Sequence, residues 1–87
     1  LRHKPELFFI FQQYNQNLSQ YNYYKSTALP NAEIIISTAK VGFKSGDIGY
    51  IEYLQALQTA TDVQLNYLQS INQINQSIIN INFLINK

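Results

Sequence analysis

The feature that most constrains this chain is an apolar repeat that runs on both sides of residues 44–47, Lys-Ser-Gly-Asp. Mostly apolar residues recur at alternating steps of four and three, a spacing typical of helices that pack side by side. Before the stretch the repeat comprises Leu7, Phe11, Tyr14, Leu18, Tyr21, Lys25, Ala28, Ala32, Ile35, Ala39 and Gly42. After it the repeat comprises Tyr50, Leu54, Leu57, Thr61, Gln64, Leu68, Ile71, Asn75, Ile78, Asn82 and Ile85.

The stretch between the two repeats has residues that end one helix and begin another. Lys40 and Lys44 would lie in the last turn of the first helix, where cations suit the negative end of the helix dipole. Gly46 can adopt the left-handed conformation that ends a helix. Asp47 is a good N-cap residue for the second helix. An end and a start within about four residues predict two antiparallel helices.

The two repeats also mirror each other about Gly46. When the chain is folded there, the numbers of facing residues always sum to 92 or 93. The facing pairs are Ala39 and Leu54, Ile35 and Leu57, Ala32 and Thr61, Tyr21 and Ile71, Tyr14 and Ile78, and Leu7 and Ile85. The sequence therefore predicts an all-α chain, a long antiparallel two-helix hairpin with a coiled-coil-like seam and helices at about 5–44 and 48–86.

Pro30 interrupts the first helical pattern. A proline inside a helix removes a hydrogen bond and costs about 3 kcal/mol, so a break after Ala28 would give three helices instead of two. The repeat nevertheless crosses Pro30 without a shift, from Lys25 through Ala28 to Ala32. We therefore expect one continuous helix that is kinked near Pro30.

Both helices are apolar on more than one side, as in the run Ile34 to Ile36. A rod of two arms, each about 60 Å long, cannot bury several apolar stripes by itself. The hairpin should therefore pack with further helices in an oligomer or a larger protein, and the chain alone should form a dimer or higher oligomer. Four polar residues at seam positions would fix the register or, alternatively, line a polar conduit. They are Thr61, Gln64, Asn75 and Asn82.

Composition argues against several classes of function. The 87 residues carry a net charge of only +1, and 13% of them are charged, so we expect no nucleic-acid partner. No apolar run approaches the ~18–20 residues of a membrane-spanning helix. The carboxylates Glu33 and Asp62 have no base, nucleophile or metal ligand beside them, and His3 is the only histidine. We therefore expect no enzyme activity, no cofactor and no metal.

Three motifs occur in a fixed order. They are Ala-Leu-Pro at 28–30, Phe-Lys-Ser-Gly at 43–46 and Ile-Glu-Tyr-Leu-Gln-Ala at 51–56. In this order and spacing the chain, from about residue 18 to 87, resembles the last helical hairpin of TolC-like outer-membrane efflux proteins. The segments Glu-Tyr-Leu-Gln-Ala-Leu at 52–57 and Leu-Asn-Tyr-Leu at 65–68 are most similar to the cation-efflux branch, in which such a segment is sometimes fused to an inner-membrane heavy-metal pump.

The resemblance implies a place and partners for the chain. It would be a piece of a longer polypeptide that forms trimers, with hairpins building a periplasmic tunnel below an outer-membrane barrel. The turn would meet the periplasmic adaptor protein of a tripartite drug or heavy-metal efflux pump that also contains an inner-membrane pump. The residues that would make this contact are Phe43, Lys44, Ser45, Gly46, Asp47 and Ile48.

Two other functions remain open at this point. The chain could be a generic coiled-coil oligomerisation module without a role in transport. It could also be a helical stalk from a secretion or phage apparatus.

Overall fold

The computed structural model describes residues 4–86, which form two long helices. The first consists of α1 (Lys4–Tyr23), a π-helical turn (Tyr24–Ala28) and α2 (Leu29–Ser45), which follow one another without a break. The second is α3 (Tyr50–Ile85). The molecule is a rod of 65 × 15 × 15 Å in which α3 packs against both α1 and α2. The predicted all-α class is confirmed.

Pro30 is accommodated by the π-helical turn before it. There the Leu29 N–H donates to the carbonyl of Tyr24, five residues back. The wider turn takes up one extra residue, so the ring of Pro30 does not disrupt a regular α-helical ladder. The predicted continuity of the first helix is confirmed, and the break after Ala28 does not occur; where a kink near Pro30 was expected, the helix contains this π-helical turn.

The two helices meet along a seam of buried and half-buried side chains. On the first helix the seam comprises Leu7, Ile10, Tyr14, Asn17, Tyr21, Tyr24, Ala28, Ala32, Ile36, Ala39 and Gly42. On α3 it comprises Tyr53, Ala56, Ala60, Val63, Tyr67, Ser70, Ile74, Ser77, Ile81 and Leu84. Among its most deeply buried residues are Ala32, Ala60 and Ser70, which are only 2%, 1% and 2% exposed. Small side chains at such positions leave room for the neighbouring helix.

The predicted seam on the first helix is mostly right and locally wrong. Phe11, Lys25 and Ile35 are exposed, and the adjacent Ile10, Tyr24 and Ile36 take their places. Around the π-helical turn the seam advances in successive steps of four, because that turn holds one more residue than an α-helical turn. A strict alternation of four and three fails there at Ile35, whereas at Phe11 and Lys25 the prediction took a step of four where the structure takes three.

The predicted seam on α3 is wrong by one residue over most of its length. Leu57 and Ile71 are half-buried, but the remaining predicted positions are exposed, including the polar residues Thr61, Gln64, Asn75 and Asn82. The polar side chains in the seam are instead Asn17, Ser70 and Ser77. The prediction selected the line with the most leucine and isoleucine, whereas the structure buries the neighbouring line, in which alanine, serine and tyrosine alternate with Val63, Ile74, Ile81 and Leu84.

Candidate functional site

The turn that links the helices is fixed by backbone hydrogen bonds. Gly46 has a φ of 84°, the left-handed conformation predicted for it. Its N–H donates to Phe43 O at 3.2 Å, and the Asp47 N–H donates to Gly42 O at 2.8 Å. This pair of bonds is the Schellman arrangement that closes helix C-termini. The turn is therefore a defined structure and not an open loop.

Asp47 does not cap the second helix as the sequence suggested. Helix α3 begins at Tyr50, its N-cap is Gly49, and no side chain caps it. The N–H groups of Asp47 and Ile48 both donate to the Gly42 carbonyl, so these two residues complete the end of the first helix. The Asp47 carboxylate accepts instead from the Ser45 hydroxyl at 3.0 Å.

Aromatic and aliphatic side chains pack between the turn and the start of α3. The ring of Phe43 is stacked on that of Tyr53, with centroids 4.9 Å apart and planes 6° apart, and lies 6.0 Å from Tyr50. Ile48 covers Gly42 so closely that a Cβ added to the glycine would lie 3.4 Å from Ile48 Cγ1. These contacts hold the turn against the first residues of α3.

The six residues predicted to contact a partner therefore have two different roles. Lys44, Ser45, Gly46 and Asp47 are exposed, and Ile48 is half-buried. Phe43 is also exposed, at 39%, but its ring is stacked on Tyr53. The exposed part, which we call the tip (residues 44–47), presents one ammonium and one carboxylate on a braced backbone.

Polar groups tie the helices together far from the tip. The side-chain amide of Asn17 donates to the Ser77 hydroxyl at 2.6 Å and to the Gln73 carbonyl at 3.4 Å. These residues border a groove that is lined by amides together with Phe9 and Ile10. The repeat did not identify Asn17, because it placed Leu18 in the seam. The sequence does contain an indication of this role: Asn17 lies three residues after Tyr14 and four before Tyr21, which places it on the same face of the helix.

Tyr21 and Tyr67 form a second contact across the seam. Their rings are stacked with centroids 5.9 Å apart, and Lys25 Nζ lies 5.8 Å above the Tyr21 ring. A hydrogen bond with the Tyr21 side chain, together with burial, raises the pKa of Tyr67 above its ordinary value of 10.0. The contact is therefore strongest while the Tyr67 hydroxyl keeps its proton.

A second line of side chains runs along α3 on the side away from the seam. We call it the outer stripe, and all its residues are exposed. It comprises Ile51, Leu54, Gln58, Thr61, Leu65, Leu68, Asn72, Asn75, Ile79 and Asn82. The two charged residues of α3, Glu52 and Asp62, lie outside it.

Within residues 4–86, no three histidine, cysteine or carboxylate side chains come close enough to hold a metal ion. His3 lies outside the described residues. None of the helices in the same range has both the length and the hydrophobicity needed to cross a bilayer. Comparison of the chain with protein-family models, with curated proteins and with solved structures gives no match.

Proposed function

We propose that the two helices form an antiparallel hairpin that is one stave of the periplasmic helical tunnel of an outer-membrane efflux channel. Its tip contacts the adaptor of a tripartite drug or heavy-metal efflux pump. In this proposal the chain is a periplasmic structural segment without enzyme activity, and it functions as part of an assembly that contains the barrel and the inner-membrane pump.

The contacts along the rod support the antiparallel hairpin. Phe43 stacks on Tyr53 next to the turn, Tyr21 stacks on Tyr67 farther away, and Asn17 binds Ser77 farther still. Residue numbers thus fall on one helix as they rise on the other. The tight turn at Gly46 reverses the chain within a few residues, as this arrangement requires.

The observation that carries the proposal is the amount of surface that the hairpin leaves exposed. Its accessible surface is 6565 Å², whereas a folded monomer of 10.1 kDa is expected to expose about 5,300 Å². Much of it is apolar: Ile51, Leu65 and Ile79 are each more than half exposed. Surface of this kind normally lies against another protein. A stave in a wall of helices would bury it on both sides.

The tip supports the second part of the proposal. It lies at one end of the rod, it is braced by the Phe43 and Tyr53 stack, and its backbone conformation is fixed by Gly46. A rigid surface loses little conformational entropy when it binds. The motif order at 28–30, 43–46 and 51–56 adds the resemblance to efflux proteins.

The proposal can be tested in the full channel protein that contains this hairpin. Lys44→Glu reverses the exposed charge of the tip, and we expect it to lower resistance to exported drugs or metal ions without lowering the amount of channel. Lys40→Glu is the matched control, one helical turn back from the tip, and should leave resistance unchanged. Equal resistance in both variants and the unaltered channel would rule out the tip as the adaptor contact.

A coiled-coil oligomerisation module is the second candidate, and the outer stripe favours it. Such a module needs the stripe but not the tip. If variants of the stripe abolish function while every tip variant is silent, this candidate replaces the efflux proposal.

A further inference from the structure

The outer stripe has a symmetry of its own. Its midpoint lies between Leu65 and Leu68, and residues at equal distances from this midpoint have numbers that sum to 133. Moving outward, Thr61 corresponds to Asn72 and Gln58 to Asn75, so polar residues match polar ones. Leu54 corresponds to Ile79, so apolar residues match apolar ones. Over these four pairs of residues, the order of polar and apolar side chains is the same in both directions along α3.

We propose that the outer stripe binds the outer stripe of a second copy of this chain, with the two α3 helices running in opposite directions. A two-fold axis would pass between Leu65 and Leu68. In such an interface each residue pair occurs twice, so one self-complementary pattern is sufficient. Like-charge repulsion is absent from the pattern because the stripe contains only uncharged residues.

The shape of α3 fits this pairing. A shallow groove at one end of the stripe is lined by Ile51, Leu54, Gln55 and Gln58 among others. A groove at the other end is lined by Ile79, Asn82, Phe83 and Asn86. Each set is spaced at i, i+3, i+4 and i+7, the four corners of the hole that accepts one side chain in a coiled coil.

The proposed two-fold axis places an isoleucine of the second copy opposite each groove. The centre of the first corresponds to Ile79 of the second copy, and the centre of the second corresponds to Ile51 of that copy. Each isoleucine would therefore fill a groove on its partner. The observed surface supplies both the protruding side chains and the holes that receive them.

The area is also adequate for a stable dimer. The rod exposes about 1,300 Å² more than a compact monomer of its mass. A standard interface covers about 800 Å² on each partner. The excess over the whole rod is therefore larger than the area that one such interface covers on each partner.

This inference does not rest on the proposed function. The two-fold axis directs the tips of the two copies to opposite ends, whereas the hairpins of a tunnel have their tips at one end. Pairing of the free chain can fail while the efflux proposal stands, and the reverse is also true.

Disulfide formation tests the direction of pairing, and the chain contains no cysteine that would interfere. One sample carries Leu54→Cys and the other carries Ile79→Cys. After mild oxidation of an equal mixture, we expect disulfide-linked pairs that contain one chain of each kind. Disulfides between two identical chains would overturn the opposite orientation, and so would the absence of any disulfide.

Light scattering tests the surface itself. The unaltered chain should be a dimer. The double variant Leu65→Gln with Leu68→Gln should weaken association at least about tenfold, while circular dichroism shows helices intact. Ile34→Gln is the matched control, since Ile34 is 60% exposed on α2 and Leu65 is 57% exposed. A monomeric unaltered chain, or equal association of all variants, would overturn the proposal.

Discussion

Gly46 ends the first helix because its backbone takes a conformation that residues with a Cβ adopt only at a cost. Gly49, three residues later, has an ordinary extended φ of −86°. Only the position of Gly46 therefore requires a backbone conformation that favours glycine. The sequence predicted the role of Gly46 correctly, but it did not indicate that Gly49 would cap α3 in place of Asp47.

This difference gives a matched pair of variants. Gly46→Ala should lower the free energy of unfolding by about 1–2 kcal/mol, because alanine is strained at a φ of 84°. Gly49→Ala should change it little, because an added Cβ would meet only a Glu52 carboxylate oxygen at 3.9 Å. Urea unfolding measures both values. A loss of the same size in the two variants would mean that the turn is not held by the Gly46 conformation.

Tyr67 makes stability depend on pH in the alkaline range. Its pKa is raised in the folded chain, so the contribution of its contact with Tyr21 is complete below pH 10 and is lost as pH rises through the higher folded value. We expect the thermal midpoint to fall more steeply above pH 10 in the unaltered chain than in Tyr67→Phe. Tyr23→Phe, at an exposed position, should behave like the unaltered chain. Parallel curves for Tyr67→Phe and Tyr23→Phe would contradict this account.

At the scale of elements, α3 could not be oriented from its sequence because it has apolar residues on adjacent lines. Ala60 and Thr61 show the consequence: the repeat placed Thr61 in the seam, whereas the structure buries Ala60 and exposes Thr61. Large apolar residues indicate that a line is buried somewhere. They do not indicate which line meets the intramolecular partner and which remains free for another chain.

Leucine substitutions at Ala60 and Thr61 distinguish the observed seam from the one that the repeat predicted. Ala60→Leu should destabilise the fold by about 1–3 kcal/mol, because the seam has no space for a larger side chain where Ala60 is 1% exposed. Thr61→Leu should change the free energy of unfolding by less than about 0.5 kcal/mol at low protein concentration. Chemical denaturation measures both. The reverse order of effects would restore the register that the repeat suggested.

The π-helical turn makes a second prediction about an element. Deletion of Thr27 together with Pro30→Ala should convert residues 24–29 into regular α-helix and keep both halves of the seam in place, so the thermal midpoint should hold or rise.

The matched control deletes Ser19, an exposed residue of regular α-helix, in the same Pro30→Ala background. Residues before the deletion would then turn away from α3, at a cost of about 2 kcal/mol or more in lost apolar burial. Equal midpoints for the two deletions would show that the extra residue does not reside in the turn.

For the whole molecule, the sequence was sufficient for the class, the length and the position of the turn. Those features depend on local signals such as Gly46 and on a repeat that persists over many residues. The position of the seam on α3 could not be predicted, because neighbouring lines of that helix both carry apolar residues. At the tip, the exposure of Lys44 could be predicted from the local sequence. The stacking of Phe43 on Tyr53 could not, because it depends on how the two helices pack.

The absence of charge from the outer stripe has a kinetic consequence. Two molecules that meet through such a face receive no long-range attraction to guide them, and ions in solution have nothing there to screen. Their association rate constant should lie near the unguided value of about 10⁵–10⁶ M⁻¹s⁻¹ and should be the same in dilute buffer as in concentrated salt. The local concentration of the chain, and not the ionic strength, would then determine the rate of association.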